Sequence, residues 1–118
     1  MNKLCVLFFV LTLFVSCSNT FPKIEEINID NNYREIKLEN KNGKSTYNLY
    51  CKITGKIEGD VEIEFMVDDG TSKKIIPENG KVNFLYDTDW YTNHFIIKIF
   101  PKDNVNGNIK IIYKFSTL

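Results

Sequence analysis

From residue 24 to the C-terminus, apolar and polar residues alternate in short runs rich in Ile, Val, Phe and Tyr. A period of two is typical of β-strands, because successive side chains of a strand point to opposite faces. Turn-forming residues separate the runs at about ten-residue intervals, and they lie at residues 31–32, 41–44, 58–60, 68–70, 78–80, 87–89 and 104–108. Asn-Gly and Asp-Gly steps favour the positive φ angles of tight hairpins. We therefore expect an all-β chain with no helix.

Residues 45–57 and 61–67 show the clearest alternation. One face of the first segment is apolar and carries Tyr47, Leu49, Cys51, Ile53 and Ile57. We expect the two segments to form a hairpin, because placing Ile57 opposite Val61 keeps apolar side chains together and sets Lys56 opposite Glu62. Cys51 falls on the inward face, so we expect a small buried hydrophobe rather than a nucleophile.

Six further runs complete the predicted strands: 24–29, 33–39, 72–76, 81–86, 94–100 and 108–115. We expect the first two to pair with each other, the third to be an edge strand ending at Pro77, and the fifth to be central and covered on both faces. The predicted fold is an antiparallel two-sheet sandwich of about eight strands and immunoglobulin-like size, without the Cys…Trp…Cys spacing of immunoglobulin domains. A small closed β-barrel is the alternative. Residues 24–118 are predicted to form this one domain.

The N-terminus has the features of an export signal. Lys3 supplies a positive charge, residues 4–15 are apolar except for Thr12, and the chain becomes polar from Ser16 onward. A transmembrane helix needs about 20 apolar residues, so this run is too short to span a bilayer. The pattern predicts a secretory signal peptide over residues 1–16.

The end of this segment, Phe14-Val15-Ser16-Cys17, resembles the signal of bacterial lipoproteins. The resemblance covers residues 1–17 only, and Phe14 stands where Leu is commonest. It implies that Cys17 receives the lipid and becomes the mature N-terminus, with residues 17–23 forming the lipidated Cys and a short tether. Ser18 differs from the Asp that retains lipoproteins in the inner membrane of enteric bacteria, which favours the outer membrane of a two-membrane cell. Ordinary cleavage, giving a secreted or periplasmic protein, is the alternative.

Composition excludes several classes of function. The chain has 15 basic and 15 acidic residues, and this balance argues against a nucleic-acid partner. Its single His and three scattered Cys do not match zinc-site spacings. Once residues 1–16 are removed and Cys17 carries lipid, Cys51 has no partner for a disulfide. Stability must then come from the hydrophobic core.

The most unusual local run extends from Asp87 to His94 and includes Asp89, Trp90 and Tyr91. In one interpretation, the two aromatic rings stack on a ligand such as a sugar, while the two carboxylates accept its hydrogen bonds or bind Ca²⁺. In the other, the aspartates form a turn and the indole plugs one end of the core. Both interpretations stay open from the sequence.

Two other loops are acidic or amide-rich, at Asp68-Asp69 and Asp103-Asn104. They could meet Asp87 and Asp89 at one end of the sandwich and form a multi-loop cation site. Asp and Asn are also the residues that turns favour for conformational reasons, so the alternative is a purely structural role. Apart from this weak Ca²⁺ signal, we expect no cofactor.

We find no sequence motif of catalysis: His94 has no nearby nucleophile, and neither Gly-x-Ser-x-Gly nor His-Glu-x-x-His occurs. The leading hypothesis is therefore a non-enzymatic, membrane-tethered binding module for a carbohydrate or surface ligand. The alternatives are an inhibitor or immunity-type lipoprotein that binds one partner protein, and a structural protein of the envelope.

Overall fold

A computed structural model describes residues 21–118, and it contains six strands: β1 (Lys23–Ile29), β2 (Arg34–Glu39), β3 (Thr46–Met66), β4 (Ser72–Ile75), β5 (Lys81–Asp89) and β6 (His94–Thr117). The described part of the chain has no helix, and so none that could span a membrane. The predicted signal peptide and Cys17 lie outside the described residues.

Two long antiparallel strands, β3 and β6, form the centre of the sheet. They pair from Thr46 opposite Thr117 to Met66 opposite Ile96. Around the first half of β3, the strand order is β1-β6-β3-β5, and around its second half it is β2-β6-β3-β4. Each half of the long pair is therefore flanked by its own two short strands.

The two halves fold against each other as layers. The rings of Phe65 in the second half of β3 and Tyr86 on β5 have centroids 4.9 Å apart. Phe95 and Tyr113, from opposite halves of β6, lie 5.4 Å apart. Because β3 and β6 contribute a segment to each layer, each layer has four strand segments. The predicted antiparallel sandwich of about eight strands is confirmed. Its eight segments come from six strands, because β3 and β6 each supply two of them.

The sheet does not close, since β1, β2, β4 and β5 each pair with a single neighbour. The alternative of a closed barrel is therefore wrong. The edge position predicted for the strand before Pro77 is confirmed, because β4 pairs with β3 alone.

The predicted hairpin around residues 58–60 is wrong. Ile57 lies opposite Gly107 and Val61 opposite Pro101, so β3 continues through this segment and bends from one layer to the other. The bend coincides with register shifts between Glu58 and Val61. Glu62 pairs with Lys74 at 3.4 Å instead of with Lys56. A glycine with positive φ serves a bulged bend as readily as a turn, and the local sequence does not distinguish them.

The predicted turn at residues 104–108 is likewise part of a continuous strand, the matching bend of β6. The expected pairing of the first two strands is also wrong, because β1 and β2 both pair with β6, in different layers. One contact between β1 and β2 is a hydrogen bond, 2.8 Å long, from the Arg34 guanidinium to the Asn28 carbonyl oxygen.

The core lies between the layers and follows the predicted alternation closely. Leu49, Cys51 and Ile53 are fully buried on the inward face of β3. Burial raises the pKa of the Cys51 thiol to about 12, as expected of a buried hydrophobe. The first half of β6 buries Phe95, Ile97 and Ile99, but the side chains on its outer face remain half-exposed, so only one face is fully covered.

Tyr47 is an exception to the predicted face. A register shift between Thr46 and Asn48 turns Thr46 inward and leaves Tyr47 46% exposed. A shift of one residue moves a side chain to the opposite face of a strand, and alternation alone cannot reveal it.

Candidate ligand-binding site at the open end

The bends of β3 and β6 close one end of the sandwich, here called the bend end. The opposite end, here called the open end, carries the loops at residues 40–45, 67–71 and 90–93. Two of these loops are tied together through Thr46. Its hydroxyl accepts a hydrogen bond from the Asn40 amide and donates one to Asn93 Oδ1, each 3.1 Å long. These two loops therefore form a connected surface.

Trp90 lies beneath this surface and is 1% exposed. Its ring packs against Phe65 and Tyr86, with centroid distances of 5.8 and 5.6 Å. The indole Nε1–H donates to the His94 carbonyl oxygen at 3.0 Å, so the one polar atom of the side chain is satisfied. Trp90 therefore plugs the core at the open end, and in this position its ring faces cannot stack on a ligand.

Asp87 and Asp89 are strand residues at the end of β5, opposite Tyr50 and Asn48. Both side chains are exposed, and Asp87 Oδ1 accepts a hydrogen bond, 2.9 Å long, from the Asn48 amide. The interpretation of these aspartates as a turn is therefore wrong, because β5 extends three residues beyond the predicted end of its strand.

Two exposed tyrosines adjoin the backbone of Trp90. Tyr91 is 72% exposed, and its backbone N–H donates to Asp68 Oδ2 at 3.0 Å. The N–H of Trp90 donates to the Tyr47 carbonyl oxygen at 3.1 Å, so the exposed Tyr47 adjoins Trp90 through its backbone. Sequence reasoning missed Tyr47 because the register shift at Thr46 has no local signal.

His94 is half-buried and begins β6, opposite Glu39. Its carbonyl oxygen accepts hydrogen bonds from the Trp90 indole and the Thr92 hydroxyl, each 3.0 Å long. These contacts use the backbone of His94 to hold the loop in shape.

Carboxylates cluster along the side of the open end formed by β4 and β5. Asp69 Oδ1 accepts hydrogen bonds from the Thr71 hydroxyl and backbone N–H, at 2.6 and 2.9 Å, and these bonds lower the pKa of Asp69. The pKa of Tyr86 is raised by burial first and then by the charges of Asp68, Asp69 and Asp89. Those three carboxylates therefore lie within electrostatic range of the Tyr86 hydroxyl.

The loops of the predicted multi-loop cation site do not all meet at one end of the sandwich. Asp103 lies opposite Asp60 at the bend end, far along the strands from Asp87 and Asp89. Across residues 21–118, no three His, Cys, Asp or Glu side chains converge as a metal-binding group. What the open end does bring together is Tyr91 and Tyr47 with the carboxylates of Asp68, Asp69 and Asp89.

No protein-family model matches the chain, and the comparison with curated proteins found no match. Among solved structures, dimeric latent PorU from Porphyromonas gingivalis is 11% identical with a TM-score of 0.43, covering 83% of this chain and 13% of that one. An exo-β-1,3-galactanase from Phanerochaete chrysosporium is 10% identical with a TM-score of 0.43, covering 79% and 29%. A family two carbohydrate esterase from Cellvibrio japonicus is 8% identical with a TM-score of 0.28, covering 80% and 36%. This chain thus spans well under two thirds of each, and these values assign it to none of their families.

Proposed function

We propose that the mature protein is a non-catalytic binding module of the bacterial cell envelope, anchored by lipid on Cys17, that binds carbohydrate at the open end. The observation that carries the proposal is the exposure of Tyr91, whose backbone is held by Asp68 beside the buried Trp90. A large aromatic side chain that is exposed at 72% yet fixed by its backbone is a ready anchor for a ligand.

Sugar rings present apolar C–H faces and polar hydroxyl edges. The Tyr91 ring supplies a surface on which a sugar face can stack, and Tyr47 offers a second aromatic side chain nearby. The carboxylates of Asp68, Asp69 and Asp89 supply hydrogen-bond acceptors for hydroxyl groups. Because Asp68 and Asp69 are already fixed by bonds to Tyr91 and Thr71, little ordering is needed on binding.

The anchor rests on the N-terminal segment. A short apolar run ending in Ser16-Cys17, followed by few residues before β1, supports attachment close to a membrane, with the outer membrane as the proposed location. The lipid on Cys17 then binds the protein to the membrane, and the open end binds a second partner, the proposed carbohydrate.

A glycan array and affinity electrophoresis with envelope polysaccharides test the binding proposal. The Tyr91→Ala variant is expected to lose about 2 kcal/mol of binding free energy, or about 30-fold in affinity, as for a central aromatic contact. The matched control is Tyr33→Ala, which removes another exposed tyrosine, located just before β2 and beside Phe100, and is expected to bind normally.

Equal binding by both variants, or no glycan binding at all, would contradict the carbohydrate proposal. A single stoichiometric protein recovered from envelope extracts, lost with Tyr91→Ala, would instead identify the open end as the site of an inhibitor or immunity-type lipoprotein.

A further inference from the structure

A cleft of about 680 Å³ opens between the start of β1, the loop after β2 and the end of β6. Four lysines line it: Lys23, Lys41, Lys44 and Lys114. Aromatic residues complete the lining, namely Phe21, Tyr113 and Phe115. We refer to this site as the lysine cleft. It lies at the open end, on the side formed by β1 and β2.

The lysines of the lysine cleft outnumber its carboxylates. Its one carboxylate belongs to Glu39, which lies 3.4 Å from the ammonium group of Lys37 outside the cleft. Within residues 21–118, none of the four cleft lysines makes an ion pair. An excess of ammonium groups along one cleft creates a positive potential that attracts an anion.

The loop that carries two of these lysines is held by its own side chains. The Lys44 N–H donates to Asn42 Oδ1 at 2.8 Å, and the Asn40 amide donates to the Thr46 hydroxyl at 3.1 Å. Lys41 therefore projects from a backbone already fixed at both ends of the loop, and binding there requires little ordering.

The open end is polarised in charge. The lysine cleft occupies the β1/β2 side, whereas Asp68, Asp69 and Asp89 lie near Tyr86 on the β4/β5 side. An anionic surface would therefore attract one side of this end and repel the other, which orients the domain.

We propose that the lysine cleft binds the phosphate headgroup of an anionic lipid in the membrane that holds Cys17. This inference rests on the lipid anchor of the proposed function. Three residues lie between Cys17 and Phe21, so the four steps of an extended chain allow at most about 14 Å between their Cα atoms. Phe21, which is 61% exposed and lines the cleft, is thereby kept within about 14 Å of the anchored Cys17.

Binding of the headgroup would fix the orientation of the domain relative to the bilayer. The β1/β2 side of the open end lies on the bilayer, and the candidate ligand site at Tyr91 faces away from it. A lysine near an anionic membrane surface strengthens binding about fivefold, so four lysines give a substantial preference for anionic over neutral lipid.

The test uses the mature chain, residues 17–118, with the Cys17 thiol capped, in sedimentation with phosphatidylglycerol-rich vesicles and with phosphatidylcholine vesicles. The variant Lys41→Glu/Lys44→Glu is expected to lose at least about tenfold in partitioning to the anionic vesicles. The matched control is Lys56→Glu/Lys81→Glu, which makes the same change in net charge at two exposed lysines far from the cleft. The binding of this control variant is expected to fall about twofold.

Fluorescence emission from Trp90 checks that both variants are folded. If Lys41→Glu/Lys44→Glu does not fold, Lys41→Gln/Lys44→Gln replaces it.

Equal losses in the two charge-reversed proteins would overturn the proposal, since only net charge would then matter. Cleft-dependent binding to soluble polyphosphate without binding to anionic vesicles would also overturn it. Failure of the anchor is measured separately, by mass spectrometry of the N-terminus from cells. If Cys17 carries acyl chains but the cleft variant and its control bind anionic vesicles equally, the headgroup site alone is refuted. A bare N-terminus with cleft-dependent vesicle binding would refute the anchor and support the headgroup site.

Discussion

Gly59 of β3 lies against the backbone carbonyl of Asn104 of β6, where both strands pass from one layer to the other. Gly59 has a φ of +97° and Asn104 a φ of +47°, so both bending strands use the left-handed region of backbone conformation. A Cβ atom on Gly59 would collide with the Asn104 carbonyl oxygen. The fold into two layers therefore depends on the absence of a side chain at this position.

Gly59→Ala is expected to lower the free energy of unfolding by about 3 kcal/mol or more, because it adds a backbone collision to the strain of positive φ. Urea denaturation measures this change. Gly70→Ala is the matched control, since Gly70 has a similar φ of +91° but open space where its Cβ would lie. The control is expected to cost about 1 kcal/mol. Equal costs would show that the contact with Asn104 is unimportant.

Trp90→Ala is expected to destabilise the protein by about 3–5 kcal/mol, because it empties a buried site that packs against Phe65 and Tyr86. Tyr91→Ala, one residue along, removes a side chain that is 72% exposed and is expected to change stability by less than about 0.5 kcal/mol. Thermal or urea unfolding measures the change in the free energy of unfolding for each of the two variants. A stable Trp90→Ala protein would contradict the core position of the indole.

The Cys51 thiol is expected to resist modification in the native protein at neutral pH, because burial raises its pKa to about 12. In the unlipidated mature chain, a maleimide should label Cys17 at once and Cys51 only after denaturant is added. Counting labels by mass, with a Cys17→Ser chain as the control, checks this. Rapid labelling of Cys51 in that control would contradict its burial.

The same thiol predicts a pH dependence of stability. Its folded pKa is raised above the unfolded value, so its contribution is fully present below about pH 9. It is lost as the pH rises toward the folded value of about 12, since the unfolded chain then releases its proton first. The stability difference between the natural protein and Cys51→Ala should therefore shrink above pH 9. A difference that stays constant over this range would contradict the prediction.

Cys17→Ala is expected to leave an unprocessed precursor that carries residues 1–16, because lipid transfer to the cysteine precedes cleavage in lipoprotein maturation. Cys5→Ala, within the apolar run, is the matched control and should mature normally. Globomycin treatment of the natural protein should reproduce the Cys17→Ala result. Immunoblotting and mass spectrometry measure the processing. A normally processed Cys17→Ala protein would contradict the lipoprotein interpretation.

The candidate site could be predicted only in part. The segment from Asp87 to His94 stands out in the sequence by its residue types, yet burial of Trp90 beside exposure of Tyr91 depends on the core beneath them. The lysine cleft has no sequence signal at all, because Lys23, Lys41 and Lys114 come from segments that only the folded chain brings together.

The local sequence by itself determined that the chain is all-β and which residues of β3 beyond Tyr47 face inward. It also determined that Asn79-Gly80 forms a tight turn, where both residues have positive φ. These properties follow from side-chain period and backbone conformation, which are local. Only the tertiary structure decided that residues 58–60 bend one strand instead of joining two, and that Ile57 pairs with Gly107 rather than Val61. Strand pairing between residues so far apart depends on which apolar faces can be buried together, and that is a property of the whole core.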